Sequence, residues 1–121
     1  MTSRPRSFLG LIALVVAVGV ASQWWSASSE RRLGAQLAAA ARAGDIRMLS
    51  SDTCVYCVTA RRWMTEHGVD FDECFIERDA QCRAIYEATQ ARGTPTLIVR
   101  GKVQLGFDAG RVLAGLTRQG G

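Results

Sequence analysis

The chain has 121 residues, 48% of them apolar and 21% charged, enough apolar matter for one small packed domain and too much for a disordered chain. Its net charge of +4 is unevenly spread: residues 1–44 hold five arginines and one glutamate, whereas the chain from Asp45 onward holds ten basic and ten acidic side chains. The basicity belongs to the N-terminal segment, and without interleaved basic and aromatic residues no nucleic-acid partner is expected.

Residues 1–6 form a short tail. Between Arg6 and Glu30 lie 23 uncharged residues, 7–29, which as a helix would span roughly 34 Å, about the thickness of a bilayer core. Trp24 and Trp25 close its far end, where amphipathic rings favour the headgroup layer, and Arg4 and Arg6 flank its near end. The segment reads either as a transmembrane anchor or as a cleaved signal, since Gly19-Val20-Ala21 resembles a small-residue cleavage site. Either way the remainder of the chain is expected outside the cytoplasm. The very short tail favours an N-inside orientation, and four cysteines, an even number, agree with an oxidising compartment.

Residues 30–44 are rich in Ala and Arg and read as a linker helix that spaces the domain from the bilayer or packs lightly on it, with Leu33, Leu37 and Ala41 forming a thin apolar stripe. The domain is expected over 45–118. Its first strand is the apolar run Ile46–Ser50, followed by a helix over Cys54–Glu66 that His67-Gly68 closes. A second strand is expected over Phe71–Ile76, apolar on both faces as in a sheet covered on both sides. Asp79 caps a helix running to about Ala91. Thr96–Arg100 and Val103–Phe107 form a hairpin about a Gly101-Lys102 turn, and Asp108 opens a last helix to about Arg118, before a fraying Gly120-Gly121 tail. The order strand, helix, strand, helix, strand, strand, helix predicts an α/β fold: a four-stranded mixed sheet with helices on both faces.

The chemistry is concentrated in Cys54-Val55-Tyr56-Cys57. Cys54 falls where a helix begins, and there unpaired amide N–H groups and the positive end of the dipole favour a thiolate. Cys57, almost one turn later, is within reach of any mixed disulfide that Cys54 forms. Thr53 is the expected helix cap, and the charge of Asp52 opposes the thiolate. Two other uses compete with this redox pair. A zinc site would need Cys54, Cys57, Cys74 and Cys82 at spacings that zinc seldom uses, and a purely structural Cys54–Cys57 bridge would constrain little chain. Cys74 and Cys82 form a candidate structural disulfide if both face one layer; otherwise they are buried free thiols. His67, at a helix end, reads as a dipole partner rather than a catalytic base. Thr94-Pro95 stands directly before a strand; a cis bond there would bring the Thr94 backbone beside Cys54, whereas a trans bond would make it an ordinary loop.

Residues 45–118 resemble a glutaredoxin, within the thioredoxin superfamily. Cys54-Val55-Tyr56-Cys57 is similar to the glutaredoxin Cys-Pro-Tyr-Cys with valine for proline, Thr94-Pro95 falls at the family's cis-proline, and Gly106-Phe107-Asp108 resembles its Gly-x-Asp element. The resemblance implies a thioredoxin-like, glutaredoxin-type fold for these residues, which the transmembrane helix read over 7–29 would precede. It also implies a thiol–disulfide oxidoreductase with no bound cofactor, which takes glutathione as co-substrate and acts on glutathione adducts or protein disulfides. Cys54 and Cys57 would be catalytic, and Tyr56, Thr94, Pro95, Gly106, Phe107 and Asp108 would bind substrate, with no metal. The family's lysine three residues before the first cysteine is replaced here by Ser51, and threonine before the proline is similar to periplasmic disulfide isomerases, which favours protein substrates. The expected location is a bacterial inner membrane with the domain on the periplasmic face, or secretion after cleavage. The alternative function is a non-catalytic thioredoxin-fold or zinc-binding interaction module.

Overall fold

A computed structural model describes residues 4–118, so the start of the N-terminal tail and the Gly120-Gly121 end lie outside the described residues. The first helix, α1, is Arg4–Ala40, and the chain divides into two compact units between Arg32 and Leu33. The described residues of the first unit are helical throughout, and their apolar side chains, among them Phe8, Leu14, Trp24 and Trp25, are exposed. It is long and apolar enough to cross a membrane.

The second unit is built on strands β1 (Ile46–Ser50), β2 (Asp72–Phe75), β3 (Thr96–Val99) and β4 (Lys102–Leu105) in the order β2-β1-β3-β4. β1 pairs parallel with β2 and antiparallel with β3, and β3 pairs antiparallel with β4. The helices are α2 (Val55–Glu66), α3 (Ala80–Ala88) and α4 (Ala109–Thr117). This is the mixed sheet expected from the order of elements.

Alternation along the strands decides what each face buries. Ile46 and Met48 of β1 stand beside Val99 and Leu97 of β3, and together they pack on Ala60 and Met64 of α2 and Val112 and Leu116 of α4. On the opposite face, Leu49 stands beside Cys74 and Thr96, and Cys74 is bonded to Cys82 of α3. Apolar layers on both sides of β1 explain why it reads as a continuous apolar run interrupted only by Arg47.

Three sequence expectations are corrected here. The segment expected as a linker, 30–44, is helical only to Ala40, and its second half belongs to the core: Leu37 is fully buried and Ala41 nearly so. The hairpin turn is Arg100-Gly101, not Gly101-Lys102. Both turn residues have positive φ, 47° and 84°, the geometry of a tight two-residue loop, so β4 begins at Lys102 and ends before Gly106. Finally, α3 stops at Ala88 rather than Ala91, because Thr89 caps it and Gln90 turns to a left-handed φ of 58°.

Candidate active site

β1 ends at Ser50, and α2 begins at Val55 after four intervening residues. The turn between them is closed by the Cys54 amide donating to the Ser51 carbonyl at 3.2 Å. Cys54, not Thr53, is the helix cap. Its backbone is extended, and its Sγ accepts the Cys57 N–H at 3.0 Å, in the position a serine or aspartate oxygen usually fills. Thr53 lies exposed, with its hydroxyl 3.5 Å from that of Ser51. A sulfur placed at the cap receives an amide donor and the positive end of the helix, the two features that favour a thiolate.

Cys54 and Cys57 are bonded, with Cα atoms 5.3 Å apart. Their surroundings differ: Cys57 is completely buried, whereas Cys54 is partly exposed and flanked by exposed Val55 and Tyr56. An incoming sulfur therefore meets Cys54 first.

A groove of about 450 Å³ opens at Tyr56, the residue before Cys57, although neither cysteine lines it. α2 contributes Tyr56, Thr59 and Ala60, the loop before β3 contributes Gly93, Thr94 and Pro95, and the end of β4 contributes Leu105, Gly106 and Phe107. The Thr94-Pro95 bond is cis. The loop is pinned by the Gly106 amide donating to the Pro95 carbonyl at 2.8 Å and by the Thr96 hydroxyl donating to the Gly93 carbonyl at 2.7 Å. Tyr56, Thr94, Pro95, Gly106 and Phe107, five residues expected to bind substrate, thus line one groove. Asp108 stands just beyond it and caps α4, its Oδ1 accepting the Arg111 amide at 2.9 Å. Cys74 and Cys82 are not in the groove; they join β2 to α3.

Thr59, Ala60, Gly93 and Leu105 line the groove without having been singled out from sequence. Thr59 was discoverable, being one turn beyond Tyr56 and so on the same helix face. Leu105 follows only from where β4 ends. His67 lies away from the groove: its Nδ1 donates to the Trp63 carbonyl at 2.8 Å and its ring stacks on Trp63, which in turn meets Phe107 at 5.4 Å.

Two acidic groups surround the turn at the end of β1. Glu73 is shielded from water, which raises its pKa, but two hydrogen bonds from Arg61 at 2.6 and 2.7 Å and one from the Ser50 hydroxyl outweigh that and hold it below the ordinary carboxylate value. The Ser51 hydroxyl donates to Glu77 and lowers its pKa as well, helped by the Asp52 amide at 3.1 Å.

A parallel β1–β2 pair, an antiparallel β3–β4 hairpin, a Cys-x-x-Cys at the start of α2 and a cis-proline loop that shares a groove with Tyr56 of that motif define a redox-protein class, the thioredoxin superfamily. Residues 46–104 match the glutaredoxin family model. The crystal structure of the glutaredoxin from Methanosarcina mazei Go1 superposes with a TM-score of 0.50 and 27% identity, over 61% of this chain and 79% of that one. A variant of the thioredoxin-like protein BC3987 superposes with a TM-score of 0.54 and 23% identity, over 60% of this chain and 95% of that one. A mutated buckwheat glutaredoxin gives 0.50 and 18%, over 77% and 96%. No curated protein matches the sequence. Residues 46–104 are thus glutaredoxin-like within a thioredoxin-like fold, and Cys54 and Cys57 form a cysteine pair of the kind thiol–disulfide oxidoreductases carry.

Proposed function

We propose that the chain is a membrane-tethered thiol–disulfide oxidoreductase in which Cys54 is the nucleophile and Cys57 the resolving thiol. The Cys54 thiolate attacks one sulfur of a substrate disulfide, forms a mixed disulfide and releases the other sulfur as a thiolate. Cys57 then loses its proton and attacks the Cys54 sulfur, which frees the second substrate thiol. Two electrons have passed to the substrate, and the pair is left oxidised; the reverse sequence oxidises a dithiol. One observation carries this reading: the capping sulfur belongs to a partly exposed residue and its partner is completely buried.

The substrates in this reading are glutathione adducts or protein disulfides, with glutathione as co-substrate. Thr94 and Pro95 would orient the substrate backbone, Tyr56, Gly106 and Phe107 would form the walls, and the Asp108 carboxylate would meet the amine of a glutathionyl group. α1 would anchor the protein in a bacterial inner membrane with the domain on the periplasmic face. The supports are its exposed apolar side chains, the tryptophan pair and the flanking arginines. The test is turnover of a glutathionylated peptide. Cys54→Ser is expected to abolish it and Cys57→Ser to retain it, whereas equal turnover by both variants and the unaltered protein would remove the assignment.

A further inference from the structure

The turn between β2 and α3 reaches across to the turn that carries Cys54, and the sequence gives no hint of this. The Ile76 amide donates to the Ser50 carbonyl at 3.0 Å, so the β2–α3 turn is seated on the last residue of β1. From that seat Glu77 accepts from the Ser51 hydroxyl and the Asp52 amide, and the Arg78 guanidinium pairs with the Asp52 carboxylate.

Arg78 is held from several sides. Its amide donates to the Phe75 carbonyl at 3.1 Å, its guanidinium lies 4.2 Å from the centre of the Phe75 ring, and the next residue, Asp79, caps α3. The whole turn lies within the loop closed by the Cys74–Cys82 disulfide, whose Cα atoms are 6.0 Å apart.

We propose that Arg78 is a positioning residue for the dithiol: stapled in place by Cys74–Cys82, it neutralises Asp52, two residues before Cys54, and so preserves the thiolate that the helix start favours. The inference rests on the reading of Cys54 as a thiolate nucleophile. The charged side chains that the structure joins to this turn are Asp52, Glu77 and Arg78, with the Glu73–Arg61 pair bonded to Ser50 behind them, and together they carry one net negative charge. Without Arg78 the Asp52 and Glu77 carboxylates would stand uncompensated on the turn that leads into Cys54, whose sulfur must also become an anion, and like charges disfavour ionisation. Arg78 and Asp52 are both substantially exposed, at 65% and 37%, so water screens the effect and it is modest.

The experiment measures iodoacetamide alkylation of Cys54 against pH, resolved by mass, in the full-length reduced protein with Cys74–Cys82 still bonded. Arg78→Ala is expected to slow alkylation about two- to five-fold below the thiol's pKa, with no change well above it, the size an exposed ion pair allows. Arg78→Lys is expected to restore most of the rate, and adding Asp52→Asn to Arg78→Ala is expected to return the profile to that of the unaltered protein. A profile indifferent to Arg78→Ala, or one that stays displaced after Asp52→Asn, overturns the proposal alone. A Cys54 that titrates as an ordinary thiol in the unaltered protein overturns this proposal together with the nucleophile assignment.

Discussion

The ring of His67 occupies the space where a side chain on Gly34 would begin. A Cβ built on Gly34 would overlap the ring's Cδ2 and Cγ and come within 2.9 Å of the His67 Cβ. The ring cannot simply swing aside, because it stacks on Trp63 at 4.0 Å and donates to the Trp63 carbonyl. Glycine at position 34 is thus what allows the end of α1 to lie close against the end of α2.

This contact gives a prediction of opposite sign to helix propensity. Within a helix, alanine for glycine ordinarily stabilises by about 1 kcal/mol. Here Gly34→Ala is expected to destabilise the domain by about 1–3 kcal/mol, the range for overpacking. Combining it with His67→Ala should recover most of that loss. Denaturant unfolding of the two single variants and the double variant measures both terms.

Where the chain is cut matters for the same reason. Leu37 and Ala41 pack into the core with Ile46, Met64 and Leu116. A fragment beginning at Leu33 is expected to fold stably, whereas one beginning at Asp45 loses the Leu37 side chain from a filled site. The cost of emptying such a site is about 2–5 kcal/mol, so the shorter fragment should unfold at clearly lower denaturant. Equal midpoints for the two fragments would contradict the core assignment.

Acid should weaken the fold through Glu73. Its folded pKa lies below the unfolded value, because Arg61 and Ser50 outweigh the effect of burial. The stabilisation from this cluster is therefore present above the unfolded carboxylate pKa of about 4.3 and is lost as pH falls through the lower, folded value. Glu73→Gln is expected to cost about 1–2 kcal/mol at neutral pH, moderated because Arg61 is 36% exposed. That difference should shrink in acid, which unfolding curves across the range would reveal.

The sheet order was legible in the sequence because β1 is an apolar run, α2 opens at a recognisable point, and Asp79 and Asp108 announce two helix starts with side chains suited to capping. The hairpin was displaced by one residue because arginine is an unusual occupant of a left-handed turn position, so Gly101 drew the turn towards itself. Thr53 was the natural choice of cap by composition, yet the sulfur of Cys54 takes that position. The tie from Glu77 and Arg78 to Ser51 and Asp52 joins residues about 25 apart in the chain and leaves no local pattern; the stripe of Leu33, Leu37 and Ala41 was legible, but not how fully Leu37 is buried.

The most direct test of the account compares the alkylation rates of Cys54 and Cys57 in the reduced, unaltered protein across a range of pH. Cys54 is expected to react first, with an apparent pKa below the free-thiol value of about 8.5, while Cys57 remains protected until the domain unfolds. If Cys57 proved the more reactive sulfur, or Cys54 ionised no more readily than cysteine in an unstructured peptide, the central claim would be wrong.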